Sequence, residues 1–337
     1  MTHFFWPTLP HDLPLSLSER ELLGLPERYV PARIAAPQLD VLAKLLSGTV
    51  ANLVRVIGDP AAVLEERYLA GSLLALHGDP RIDALAPQMV DIPAGSYVLG
   101  LPFEEVDRVL AAYEGLGLAR SWIEKECPSY EVEMMGFRIA RFPVTNSEYQ
   151  AFLLDTGHRE LPSSWELGRF PLERSNHPVY SVSPESAGAY AAWLSRRTAR
   201  SFRLPTEAEW EITASGPTRR EFPWGQQFVP DVCNTVECGL LSSSPVGMFP
   251  KGASPYGVED MAGNVEEFVA STYGPYPGGK QIDDHLAQLN GTYRVARGGS
   301  FARFRDLARC KRRHGHHRTT KVYIVGFRLA EDGPDHR

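Results

Sequence analysis

Apolar residues recur at helical spacing early in the chain and at strand spacing in short pieces later. Leu39, Val41, Leu42, Leu45 and Leu46, then Val50, Leu53, Val54 and Ile57, lie three and four residues apart, which predicts a helix. Gly58-Asp59-Pro60 breaks it. A second helix is predicted from Ala61 to His77, with Val63, Leu64, Leu69, Leu73, Leu74 and Leu76 apolar, and Gly78-Asp79-Pro80 ends it. The pair with matching breaks reads either as a hairpin packed on the main domain or as one HEAT-like unit that meets a partner. One helical pair seldom buries its own face, which favours the packed hairpin. Before it, Pro7, Pro10, Pro14 and Pro26 mark an irregular arm.

Beyond residue 88 the pattern changes. Met89 to Gly100 reads as strand, turn and strand, and Phe103 to Ala119 as a helix with Val106, Val109, Leu110 and Tyr113 on one side. Phe137 to Phe142 alternates as a strand. Thr145 or Asn146 caps a helix that stops at Gly157. His177 to Ser183 reads as a short strand, and Ser183-Pro184 starts a helix with Pro at its first position. Thr206 with Glu209 three residues on forms a capping-box pattern, and Trp210 falls on the buried side of the helix it opens. After Trp210 the expectation is loops and short strands, among them 292–301 and, last, 323–329. The division expected is 1–88 arm and hairpin, 89–332 main domain, 333–337 tail.

Composition narrows the class. With 337 residues, 43% hydrophobic and 23% charged, the chain can bury a sizeable core. A net charge of −6 argues against general nucleic-acid binding. No run of 18 apolar residues predicts a membrane span, and the N-terminus lacks the layout of a signal peptide. Cys127, Cys233, Cys238 and Cys310 are too few for a disulfide scaffold, so a cytoplasmic location is the expectation.

Several motifs stand in order: Ile92-Pro-Ala-Gly95, Arg203-Leu-Pro-Thr-Glu-Ala-Glu-Trp-Glu211, Phe222-Pro-Trp-Gly225, Gly263-Asn-Val-Glu-Glu-Phe268, Arg297-Gly-Gly-Ser300 and Gly326-Phe-Arg328. Together they resemble the formylglycine-generating enzyme family, also called sulfatase-modifying factors, over roughly residues 89–332. The resemblance implies an α+β, loop-rich fold of the complex C-type-lectin-like kind, here preceded by a short helical region. It also implies structural calcium, with Asn264 and Glu267 as ligands of one site and Asn234 of a second, since calcium takes oxygen donors. In the motif around Asn264, Glu266 and Phe268 replace two tryptophans.

The family's sulfatase activators oxidise a cysteine with copper held by two active-site cysteines. An ungapped match puts Arg303 and Ala308 at those positions, and neither can bind copper(I). Another branch places iron ligands on a histidine-rich helical bundle, whereas residues 37–77 carry only His77. What stands in the active-site segment, 303–318, is six Arg, one Lys, three His and one Cys. Such local positive charge in an acidic chain implies an anionic small molecule or peptide. Arg297, Arg309, Arg313 and Arg328 match the family's framework arginines. Arg303, Arg305, Arg312 and Arg318 are the candidates for ligand contact. Cys310, His314, His316 and His317 could instead gather a transition metal, and Cys310, His314 and His316 are the catalytic candidates. Two functions remain open. One is an oxidoreductase-like pathway enzyme acting on an anionic small or peptide-linked substrate. The other is a non-catalytic binding module, as in retroelement-diversified variable proteins, reading ligands with the Arg/His-rich stretch 303–325.

Overall fold

The computed structural model describes residues 28–34, 36, 38–315 and 324–333. Among these, three helices come first: α1 (Leu39–Leu46), α2 (Val50–Ile57) and α3 (Leu64–His77). The expected first helix is therefore two. Ser47-Gly48-Thr49 interrupts it, and the Thr49 side chain accepts from the Asn52 amide to start α2. The hairpin packs on the main domain through buried polar bonds as well as apolar contact. Arg67 donates to the Met248 carbonyl at 2.7 Å, and Asn176 donates to the Gly71 carbonyl at 2.9 Å. Leu53, Ile57 and Leu74 share a cluster with Met248 and Phe249. Gly71 is needed there, because a Cβ would lie 2.6 Å from the Pro245 ring.

Among the described residues, the main domain carries three small sheets. β1 (Met89–Ile92), β4 (Phe137–Ala140), β10 (Ala330–Asp332) and β5 (Phe202–Arg203) form one, in the order β1-β4-β10-β5. β2 (Gly95–Leu99) pairs only with β3 (Tyr130–Met134), so the strand-turn-strand at 89–100 feeds two sheets. The third has the order β8-β7-β6-β9, from β6 (Glu266–Thr272), β7 (Arg294–Arg297), β8 (His314–Gly315) and β9 (Val325–Phe327). The strand expected to be last, 323–329, holds β9, and β10 follows it and joins the first sheet.

The helix expected over 103–119 is a 3-10 turn and a short helix, α4 (Val106–Ala112), followed by α5 (Arg120–Glu124). Glycines at 115 and 117, both at positive φ, end the helical run early. The expected strand at 177–183 is a single bridge, Thr145 to Pro178. Three helices start as their sequences predict. Thr145 closes a capping box on α6 (Asn146–Thr156), Ser183 caps α7 (Pro184–Thr198), and Thr206 closes a second box on α8 (Glu207–Ser215). α9 (His285–Asn290) precedes β7. Trp210 is fully buried, and its indole N–H donates to Glu267 at 2.8 Å. No helix among the described residues is long and apolar enough to cross a membrane.

Candidate functional site

The site is built on β6, where successive side chains point to opposite faces. Glu267 turns inward. Its two oxygens accept from the Arg328 guanidinium at 2.6 and 2.7 Å, and one also accepts from Trp210. Glu266 turns the other way. His314 on β8 sits opposite Ala296 on β7, which sits opposite Phe268, so His314 and Glu266 share one face of the sheet. Ala296 is small enough for the imidazole to reach across. His314 Nδ1 lies 2.6 Å from Glu266 Oε2, and Arg303 Nε lies 3.5 Å from Glu266 Oε1. Arg303, Glu266 and His314 thus converge where the resemblance placed one of two copper cysteines.

The remaining cations of the segment fall into two kinds. Arg309 is fully buried and grips both oxygens of Glu126 at 2.9 Å while also donating to Glu221. Burial disfavours the Glu221 charge, but Arg309 and Lys311 outweigh it and hold its carboxyl down at about 2. Arg313 binds Glu207 through two 2.8 Å bonds and lies over the Tyr276 ring. Arg297 bonds Glu211 at 2.6 Å and Glu207 at 3.0 Å. Despite burial, Arg313 and Arg297 keep the Glu207 carboxyl below its usual range. The four expected framework arginines are therefore framework: the α8 carboxylates Glu207 and Glu211 partner Arg297 and Arg313, while Arg309 holds Glu126 and Glu221 and Arg328 holds Glu267.

Arg312 belongs with them, contrary to the expectation of ligand contact. It is 3% exposed, and one guanidinium nitrogen donates to the carbonyls of Trp122 and Arg313. Arg303 and Arg305 are different. Their side chains keep 22% and 35% of their exposure, and each touches its carboxylate, Glu266 or Glu237, only at 3.5 Å. Arg305 is held in place by ring faces, with Tyr113 at 5.7 Å and Phe228 at 6.0 Å. Its amide donates to Glu237 at 2.9 Å. Arg318, His316 and His317 lie outside the described residues.

Ala308 and Cys310 answer the copper question. Ala308 is fully buried in an apolar cluster with Val106, Val109, Tyr113, Ile123 and Phe222. Cys310 is equally buried, in a different cluster around Trp210 and Val269, and burial pushes its thiol far up, away from the thiolate that binds metal. These residues do not fit a two-thiolate copper centre, and Cys310 is not placed as a catalytic group. Among the described residues no three His, Cys, Asp or Glu side chains gather as a metal-holding set.

The expected calcium ligands are differently engaged. Glu267 is saturated by Arg328 and Trp210. The Asn264 amide is locked on Ser244, accepting from its N–H and donating to its carbonyl, both at 3.0 Å. Asn264 holds a left-handed φ of 64° at this turn. Asn234 donates to Ser242 and Ser244, and only its Oδ1 is buried without a hydrogen-bond partner. Of the three, Asn234 alone offers an open oxygen.

Sequence reasoning missed Glu266 as the residue shared by Arg303 and His314. The visible signal was an acid where the resembled motif has tryptophan. It missed Tyr113, Phe228 and Glu237 as the supports of Arg305, because nothing local links residues so far apart.

Comparison with known proteins agrees with this frame. The family described as the sulfatase-modifying factor enzyme 1-like domain matches residues 77–333. Hercynine oxygenase of Mycobacterium tuberculosis is 35% identical over 244 residues, covering 62% of this chain and 56% of that protein. The chain spans about half the length of the hercynine oxygenases it matches, 54–62%. Formylglycine-generating enzyme of Mus musculus is 27% identical, covering 76% and 78% of the two chains. The structure of PvdO from Pseudomonas aeruginosa superposes with a TM-score of 0.56 at 27% identity, over 74% of this chain and 95% of that one. Treponema denticola variable protein 1 shares the fold, with a TM-score of 0.54 at 21% identity over 73% and 95%.

Proposed function

The chain belongs to the sulfatase-modifying factor enzyme 1-like family, and we propose that it is an oxidoreductase-like member acting on an anionic substrate held by Arg303 and Arg305. One observation carries this reading. In a segment whose other described guanidiniums are buried, these two keep side-chain exposure of 22% and 35% and touch their carboxylates only at 3.5 Å. Guanidinium edges offer paired donors that match carboxylate or phosphate oxygens. The relatives named as an oxygenase and a formylglycine-generating enzyme support an enzyme of this general kind. Cysteine oxidation on a two-thiolate copper centre is not the chemistry this segment supports.

His314 shares Glu266 with Arg303, its Nδ1 2.6 Å from the carboxylate, an arrangement that fixes the ring. It is placed to hold or move a proton at a substrate bound to Arg303. A non-catalytic binding role has one observation in its favour, the apolar seal over Ala308. The two readings separate on His314→Gln, which abolishes turnover in an enzyme and leaves a binder's affinity nearly intact.

The test of anion recognition is calorimetric titration with citrate, inorganic phosphate and a glutamate-rich peptide. At least one is expected to bind tenfold more weakly to Arg303→Ala/Arg305→Ala than to the wild-type protein. Equal affinity, or no binding to the wild type, overturns the proposal.

A further inference from the structure

Arg305 does not stand alone at the surface. It lies at the edge of an aromatic cluster in which Phe222 stacks on Trp224 at 5.2 Å and Phe228 meets both rings. Phe222 is buried, but Trp224 and Phe228 are only half-buried, and the adjacent Val229 is 44% exposed. Apolar surface therefore continues outward from the guanidinium. Beside it, Arg305 faces Glu237 and Arg303 faces Glu266, each at 3.5 Å. Glu237 Oε2 is buried without a hydrogen-bond partner, so the acid stays anchored by its other oxygen to the Arg305 amide and guanidinium.

We infer that Arg305, Phe228 and Trp224 form a subsite for a singly charged carboxylate with an aromatic or large apolar body. The inference rests on the anion-binding reading above and narrows it to a substrate class. The carboxylate lies along the open edge of Arg305, where a planar fork meets two oxygens in parallel. The apolar body covers Phe228 and Trp224, ring against ring, an arrangement that adds to simple burial. Tyr113 and Phe228 hold the guanidinium plane, so little side-chain freedom is lost on binding. A dianionic phosphate makes no use of the rings. The carboxylate has two sources, a free aryl acid or the C-terminus of a peptide ending in an aromatic residue.

The test titrates the full chain with acetate, inorganic phosphate, N-acetylphenylalanine, N-acetylphenylalanine amide and a pentapeptide ending in Phe. N-acetylphenylalanine is expected to bind at least tenfold more tightly than acetate, phosphate or its own amide. Arg305→Gln should abolish that binding, and Phe228→Ala should bring N-acetylphenylalanine down to the level of acetate. Melting curves confirm that both variants fold; both side chains lie partly in solvent. A tighter pentapeptide marks a peptide terminus as the source, and equal affinities mark a free acid; either supports the subsite. If phosphate binds best, or the aryl acid no better than acetate, the subsite is overturned while anion binding stands. If no anion depends on Arg303 or Arg305, both readings fall together.

Discussion

Arg303 and Arg309 lie six residues apart in one basic segment and live in opposite surroundings. Arg309 has no exposure, two parallel bonds to Glu126 and a third to Glu221. Arg303 keeps about a fifth of its exposure and touches Glu266 at 3.5 Å. The difference teaches that charge in this segment is not one property. A saturated guanidinium ties loops together where regular structure is scarce, whereas an open one is a tool for binding. The widest break between the two comes from removing one partner of the buried kind. Arg309→Met should cost ~3–5 kcal/mol, because it leaves Glu126 buried without a counter-charge and Glu221 with Lys311 alone. Urea unfolding measures it, and a loss below ~1 kcal/mol would erase the distinction drawn here.

Acid should find the same boundary. The Glu221 carboxyl sits at about 2 in the folded protein, below its ordinary 4.5. A depressed carboxyl contributes stability that is fully present above the unfolded value and is lost as pH falls through the folded one. The loss should therefore run from about pH 4.5 down to about 2, with Glu207 depressed in the same direction. The contribution is ~3–4 kcal/mol at neutral pH, about 2.5 pH units at roughly 1.4 kcal/mol each. Melting temperature followed from pH 7 to pH 2 checks it. Glu221→Gln should flatten the slope; an unchanged slope would show that the pairing is not what acid attacks.

Much of this frame could be read before any coordinates. Capping boxes at Thr145 and Thr206, the Ser183-Pro184 start and the buried Trp210 follow from local rules that need only a few neighbouring residues. The framework role of Arg297, Arg309, Arg313 and Arg328 was legible too, through collinear motifs. The misreading of Arg312 has a physical cause. Its burial depends on the Trp122 carbonyl and the Trp122 ring, 5.7 Å from the guanidinium, which α5 brings over it. The site was the least legible part. Glu266 meets His314 only because β7 places Ala296 between them, and register across three strands is not written in any one of them.

A carboxylate buried without a full cationic partner sharpens the contrast from the other side. Asp260 is buried, and its Oδ2 accepts from the Gly247 amide at 2.7 Å. Burial raises its carboxyl to about 7 from an ordinary 3.8, with Glu259 adding to the rise. A raised carboxyl favours the folded state fully below the unfolded value, and that advantage is lost as pH rises through about 7. Asp260→Asn keeps an acceptor for Gly247 and removes the charge. It should stabilise the protein by ~1–3 kcal/mol at pH 8, and the gain should vanish toward pH 4. Chemical denaturation at the two pH values decides it. A loss at pH 8 would mean that the charge, and not only the acceptor, is needed there.

The smallest effect on stability is expected where the effect on binding is largest. Arg303→Ala removes one 3.5 Å contact from a side chain already partly in water, so its cost should stay within ~0.5 kcal/mol. Glu266 keeps His314 as a partner at 2.6 Å, so the deletion does not strand a buried carboxylate. Arg309 has no such reserve, because Glu126 has no second cation among the described residues and Glu221 would keep Lys311 alone. Measured side by side, Arg303→Ala should unfold with wild-type urea sensitivity yet bind anions tenfold more weakly. If Arg303→Ala instead destabilises as much as Arg309→Met, then Arg303 is a structural tie and the open edge it shows to solvent is not a binding surface.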